Sequence, residues 1–148
     1  MNKFGAILEK EIAGYEGEFS QLIAQAPDLY KMMTRLLDDH ALPSSMSPLV
    51  IAAVAYFILP DEIISEEEYG PIGYLDDIYL CALVANEISR KSGSHDILVR
   101  NWDGFVPIDA LIKEILDSER DLIGDKKNRI MQYIGCDKIG TTPSGCID

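Results

Sequence analysis

Cysteine is scarce. There are three in 148 residues, at positions 81, 136 and 146. That number cannot build a disulfide framework, and the spacing of Cys136 and Cys146 fits no zinc signature. Cationic charge is also scarce, with 13 Lys and Arg against 25 Asp and Glu and a net charge of −12. A chain that neutralises phosphates needs a basic patch, so this balance argues against nucleic acid as a partner. It equally disfavours docking on an anionic membrane surface. No apolar run approaches the roughly 20 residues that a membrane span requires, so no stable membrane insertion is expected. The N-terminal MNKFGAILEKEIAGYEGEF carries charge throughout and lacks the apolar core of a signal peptide, which points to a cytoplasmic location. No GxSxG elbow, phosphate-binding P-loop, GxGxxG turn or HExxH helix is present, so neither a nucleophile nor a nucleotide cradle can be argued.

What is present is a dense apolar centre. From Leu49 to Leu59 every residue is apolar or tyrosine, and Ser47-Pro48 before it is a helix start. A helix apolar on every side is expected inside a core. Pro60 ends it. A second helix opens after Gly70-Pro71-Ile72-Gly73. Asp76 and Asp77 fall in its first turn and Arg90 and Lys91 in its last, with Gly93 as the stop, the charge order that the helix macrodipole favours. Val54, Phe57, Ile58, Ile78, Cys81, Ala82 and Ala85 are the expected core of this hairpin, with Cys81 as a small buried hydrophobe.

The segment between and around these helices resembles the YkvA-like family of small helical proteins, whose function is not established. The residues that carry the likeness are Pro60, Glu62 and Ile64, followed by Gly73-Tyr74-Leu75-Asp76-Asp77 after a short acidic loop. The likeness covers about residues 48–88. Leu59 stands where the family has serine, Glu62 and Glu66 where it has aspartate, and Ser65 where it has proline. The loop is about one residue longer. The resemblance implies a helical hairpin and no particular activity.

The rest of the chain also reads as helix. Phe4, Ile7, Leu8, Ile12, Tyr15, Phe19, Leu22 and Ile23 recur at threes and fours, with a break expected near Gly14 and Gly17. Pro27-Asp28 starts a helix with the stripe Leu29, Met33, Leu36 and Leu37. Ser94 caps a short helix over His95 to Asn101, Trp102-Asp103-Gly104 turns, and Pro107 opens the last long stretch. The expectation is an all-α bundle of five to seven helices around the hairpin at 48–90. Residues 1–135 would form one domain and 136–148 a loose tail.

Chemistry can concentrate only where the carboxylates do. Glu62, Glu66, Asp76 and Asp77 are the candidate ligands of a divalent cation, because hard cations take carboxylate oxygens. The competing reading is structural: a helix N-terminus favours carboxylates, and a loop pinned by its own side chains uses them as acceptors. Consecutive helical residues point about 100° apart. On that ground one of Asp76 and Asp77 is expected to face inward and the other outward. His40 and His95 fit no metal pattern and read as capping or surface residues. Trp102 with Phe105 is expected to plug the end of the bundle. The sequence thus points to a non-enzymatic interaction or regulatory module with a protein partner. A divalent-metal protein or metal-dependent hydrolase is the alternative, and membrane association through the 48–60 helix a second one. It leaves oligomeric state open.

Overall fold

The structure is a computed structural model that describes residues 3–14, 19–58 and 74–118. Helix α1 spans Lys3–Ile12, α2 Ser20–Ile23 and α3 Ala26–Leu37; a short 3-10 turn at Ser44–Met46 leads into α4, Ser47–Ile58. Then come α5, Leu75–Ser92, α6, Asp96–Arg100, and α7, Ile108–Asp117. The architecture is all-α, and no strand occurs among the described residues.

The helix boundaries follow local chemistry. Gly14, at φ 79°, takes the left-handed conformation just after α1. Phe19, at φ 61°, adopts the same conformation ahead of α2, which for an L-residue with a side chain costs about 1–2 kcal/mol. Pro27 sits in the first turn of α3, where its missing N–H removes no helical bond. Gly93, at φ 81°, closes α5 with its N–H donating to the Ser89 carbonyl, a left-handed stop that glycine adopts without steric cost. Ser94 Oγ accepts the Asp96 N–H at 3.2 Å at the start of α6.

The centre of the bundle is α5, which packs against α2, α3, α4, α6 and α7. Every residue from Leu75 to Ala85 is buried, so this helix has no solvent face along its first three turns. Helix α4 differs. It lies between α3 and α5 and buries Val50, Ala53, Tyr56 and Phe57 against them. Ile51 remains 55% and Ile58 51% exposed, although the helix carries no charged side chain. The expectation of a helix buried on all sides is therefore corrected, for Ile58 in particular. Among the described helices α3 and α5 pack against it and leave these side chains exposed, and Val54 is only half-buried. Phe57, Ile78, Cys81, Ala82 and Ala85 are buried as the hairpin reading requires. Leu37, assigned to the apolar stripe of α3, is 39% exposed at the end of that helix.

Candidate functional site

The polar centre of the hairpin is built from α4 and the first turn of α5. Asp76 and Asp77 are exposed by only 0% and 1%. The expectation that one of them faces outward is wrong. Their side chains do diverge around the helix axis, but α5 is surrounded, so both directions lead into protein. Asp76 is held on two sides. The Tyr56 hydroxyl donates to its Oδ2 at 2.9 Å, and the Asp77 N–H donates to its Oδ1 at 3.0 Å. The position is physically apt, since the first turn of a helix offers unpaired N–H groups and the positive end of the macrodipole. Burying carboxylates is otherwise costly and requires hydrogen bonds or a compensating charge.

Aromatic rings pack together beside Tyr56. Tyr30 of α3 meets Phe57 edge-on, with ring centroids 5.5 Å apart and planes at 79°. Phe57 also lies 6.4 Å from Tyr74, which directly precedes α5. Tyr30, Tyr56, Tyr74 and Tyr79 are all buried. The acidic residues Glu62 and Glu66 lie outside the described residues, so of the four candidate ligands the structure describes Asp76 and Asp77, both buried and pointing apart around the helix axis. Among the described residues no group of three or more His, Cys, Asp or Glu side chains converges on one point. Tyr56 was not singled out from the sequence. The available signal was a lone hydroxyl in a buried apolar helix, because a buried tyrosine hydroxyl needs a partner.

A second polar arrangement joins the end of α3 to α6. Arg100 grips Asp39 with two bonds, Nε to Oδ2 and Nη2 to Oδ1, each 2.7 Å. The Asn101 amide donates to Oδ2 at 2.8 Å and the Ala41 N–H to Oδ1 at 2.9 Å. Together these donors hold the Asp39 carboxyl well below the usual carboxylate range, the Arg100 bond contributing most. An open cavity of about 530 Å³ lies beside the clamp, lined by Arg35, His40 and Arg100 among others. The clamp satisfies Asp39 fully, which suits a structural tie. Nothing local in the sequence signals it, since the partners lie 61 and 62 positions apart.

His40 is exposed beyond α3. His95 begins α6, its Nδ1 2.8 Å from Ser89 Oγ, and stitches the α5–α6 turn. Cys81 is wholly buried, and burial pushes its thiol far up, away from the reactive thiolate. Cys136 and Cys146 lie outside the described residues, as do the tail expected at 136–148 and the loop expected at 60–72. Trp102 and Phe105 part company. Trp102 is half-buried, its Nε1 donating to the Val106 carbonyl at 2.8 Å. The Phe105 side chain is fully exposed and plugs nothing. Among the described residues no helix is long and apolar enough to cross a membrane.

Comparisons with known proteins place this hairpin in context. Residues 48–83 match a family described as Protein of unknown function (DUF1232). The matched stretch contains Tyr56, Asp76 and Asp77 and all of α4 after its first residue. Over 134 residues, 90% of this chain and 91% of the relative, the sequence is 25% identical to the uncharacterized protein ORF9 of Methanothermobacter thermautotrophicus. No solved structure matches the chain.

Proposed function

We propose that the protein is a non-enzymatic interaction module of the YkvA-like kind, whose α4 face receives an amphipathic helix from a protein partner. The observation that carries this reading is the pairing of Ile51 and Ile58, each more than half exposed on a helix without a charge. They stand about two turns apart on one stripe, the spacing by which a partner helix is gripped. Charge complementarity defines the occupant. The chain carries −12 overall, and the sequence that follows α4 holds Asp61, Glu62, Glu66, Glu67 and Glu68. A partner helix with an apolar stripe flanked by lysine or arginine is complementary to exposed isoleucines on a chain of this net charge. The test uses a leucine–lysine amphipathic peptide, its leucine–glutamate counterpart, and the Ile51→Lys/Ile58→Lys variant. Only the lysine peptide should bind, and only to wild type. Dimerisation of wild type that the double variant abolishes would instead make a second copy of the chain the occupant.

The burial of both Asp76 and Asp77 favours a second reading, in which a divalent cation neutralises them and Glu62 or Glu66 completes the site. Magnesium or manganese is the chemical class that carboxylate oxygens select. Melting the unsupplemented protein with chelator and with added manganese tests it.

A further inference from the structure

Phe19 is strained and stands on the rim of a cavity away from the hairpin. Among the described residues it is the non-glycine residue with positive φ. Residues held in sparsely populated backbone regions persist where surrounding structure fixes them, and they concentrate at binding sites. The cavity holds about 360 Å³ and is lined by Phe19, Ser20, Gln21 and Leu22 at α2 and by Glu114 and Ser118 at the end of α7. Its chemistry is one-sided. An aromatic ring and an aliphatic side chain give apolar surface, two hydroxyls and a carboxamide give neutral hydrogen-bonding groups, and Glu114 gives the one formal charge among the described lining residues. Among the described residues that line it, none is cationic.

From this lining we infer a binding site for an alkyl guanidinium or alkyl ammonium group. The Glu114 carboxylate would accept hydrogen bonds from the cationic head, the Phe19 ring attracts a cation over its face, and Leu22 contacts the alkyl stem. The volume lies in the range of small-ligand pockets. The net charge of −12 adds a long-range field that draws cations toward the protein. Such a group can arrive as a free small amine or as the arginine or lysine side chain of a protein, and the chemistry of recognition is the same for both.

The experiment titrates the full chain with n-butylguanidinium and with n-butylurea, a neutral mimic of the same shape, and follows backbone amide shifts by NMR. Butylguanidinium should move the amides of Phe19, Ser20, Glu114 and Ser118 saturably, and butylurea should not. Glu114→Gln should weaken binding about five-fold or more. Phe19→Leu, which keeps the bulk and the β-carbon but removes the ring, should weaken it about two- to five-fold. Asp96→Asn, an exposed position on α6, should leave it unchanged. A short blocked Ala-Arg-Ala peptide, compared with its citrulline analogue, separates the two sources. Tighter binding of the arginine peptide than of butylguanidinium assigns the site to a protein side chain, and equal binding to the free cation. Absence of shifts at these amides, equal binding of butylurea, or equal weakening by Glu114→Gln and Asp96→Asn would overturn the inference.

Discussion

The Tyr56 hydroxyl donates to the Asp76 carboxylate across the α4–α5 hairpin, at 2.9 Å and with both residues buried. This bond ties the helix that presents an apolar face to the helix at the centre of the fold. Removing the hydroxyl with Tyr56→Phe leaves a buried carboxylate oxygen short of a donor. The expected loss is about 1–3 kcal/mol, measured by urea denaturation. A double-mutant cycle with Asp76→Asn should return a coupling above about 0.5 kcal/mol. Independent, additive effects would mean that the bond carries no weight.

Asp76→Asn and Asp77→Asn should both lower the melting temperature, in chelator and in manganese alike, if the two carboxylates serve the scaffold. Both are expected to matter because both are buried. On the cation reading the signs reverse: carboxylates around an empty site repel, so asparagine stabilises the metal-free protein, and manganese raises the midpoint of wild type alone.

Phe57→Ala should cost about 3–5 kcal/mol, since the ring is 2% exposed and packs edge-on against Tyr30. Ile58→Ala, one position on, should stay within about 0.5 kcal/mol, because that side chain is 51% exposed. Equal losses at the two positions would show that the α4 face is covered.

The Asp39 clamp makes a pH prediction. Its carboxyl is held below the usual range, chiefly by the Arg100 bond and then by Asn101 and Ala41. A depressed folded value means the stabilisation is present above the unfolded value, about 3.9, and is lost as pH falls below it. Arg100→Gln should therefore destabilise the protein at neutral pH, and its difference from wild type should shrink below about pH 4. A difference that stays constant to pH 2 would contradict the clamp.

Much of the fold was legible because it is written in local signals. The unbroken apolar run at 49–59, the Asp76-Asp77 start, the Arg90-Lys91 end and Gly93 fix two helices without reference to anything distant. What was not legible depends on neighbours. An apolar helix does not state how many sides will be covered, so Ile58 was misplaced. A 100° turn between Asp76 and Asp77 does not state whether protein lies in both directions. The Asp39–Arg100 clamp joins residues 61 positions apart, and no local pattern specifies it. Phe105 next to Trp102 looks like core by composition. It is excluded from it because the turn closes through Trp102 Nε1 and the Val106 carbonyl, with Gly104 pressed against the indole ring.

The most direct measurement is a fluorescence-anisotropy titration of a leucine–lysine amphipathic peptide with wild type and with Ile51→Lys/Ile58→Lys. The account predicts saturable binding to wild type that weakens as salt is raised. The double variant should lose it while keeping its helical circular dichroism and its melting midpoint. Equal binding to both proteins, or equal binding of the leucine–glutamate peptide to wild type, would contradict the proposal that α4 is the docking face.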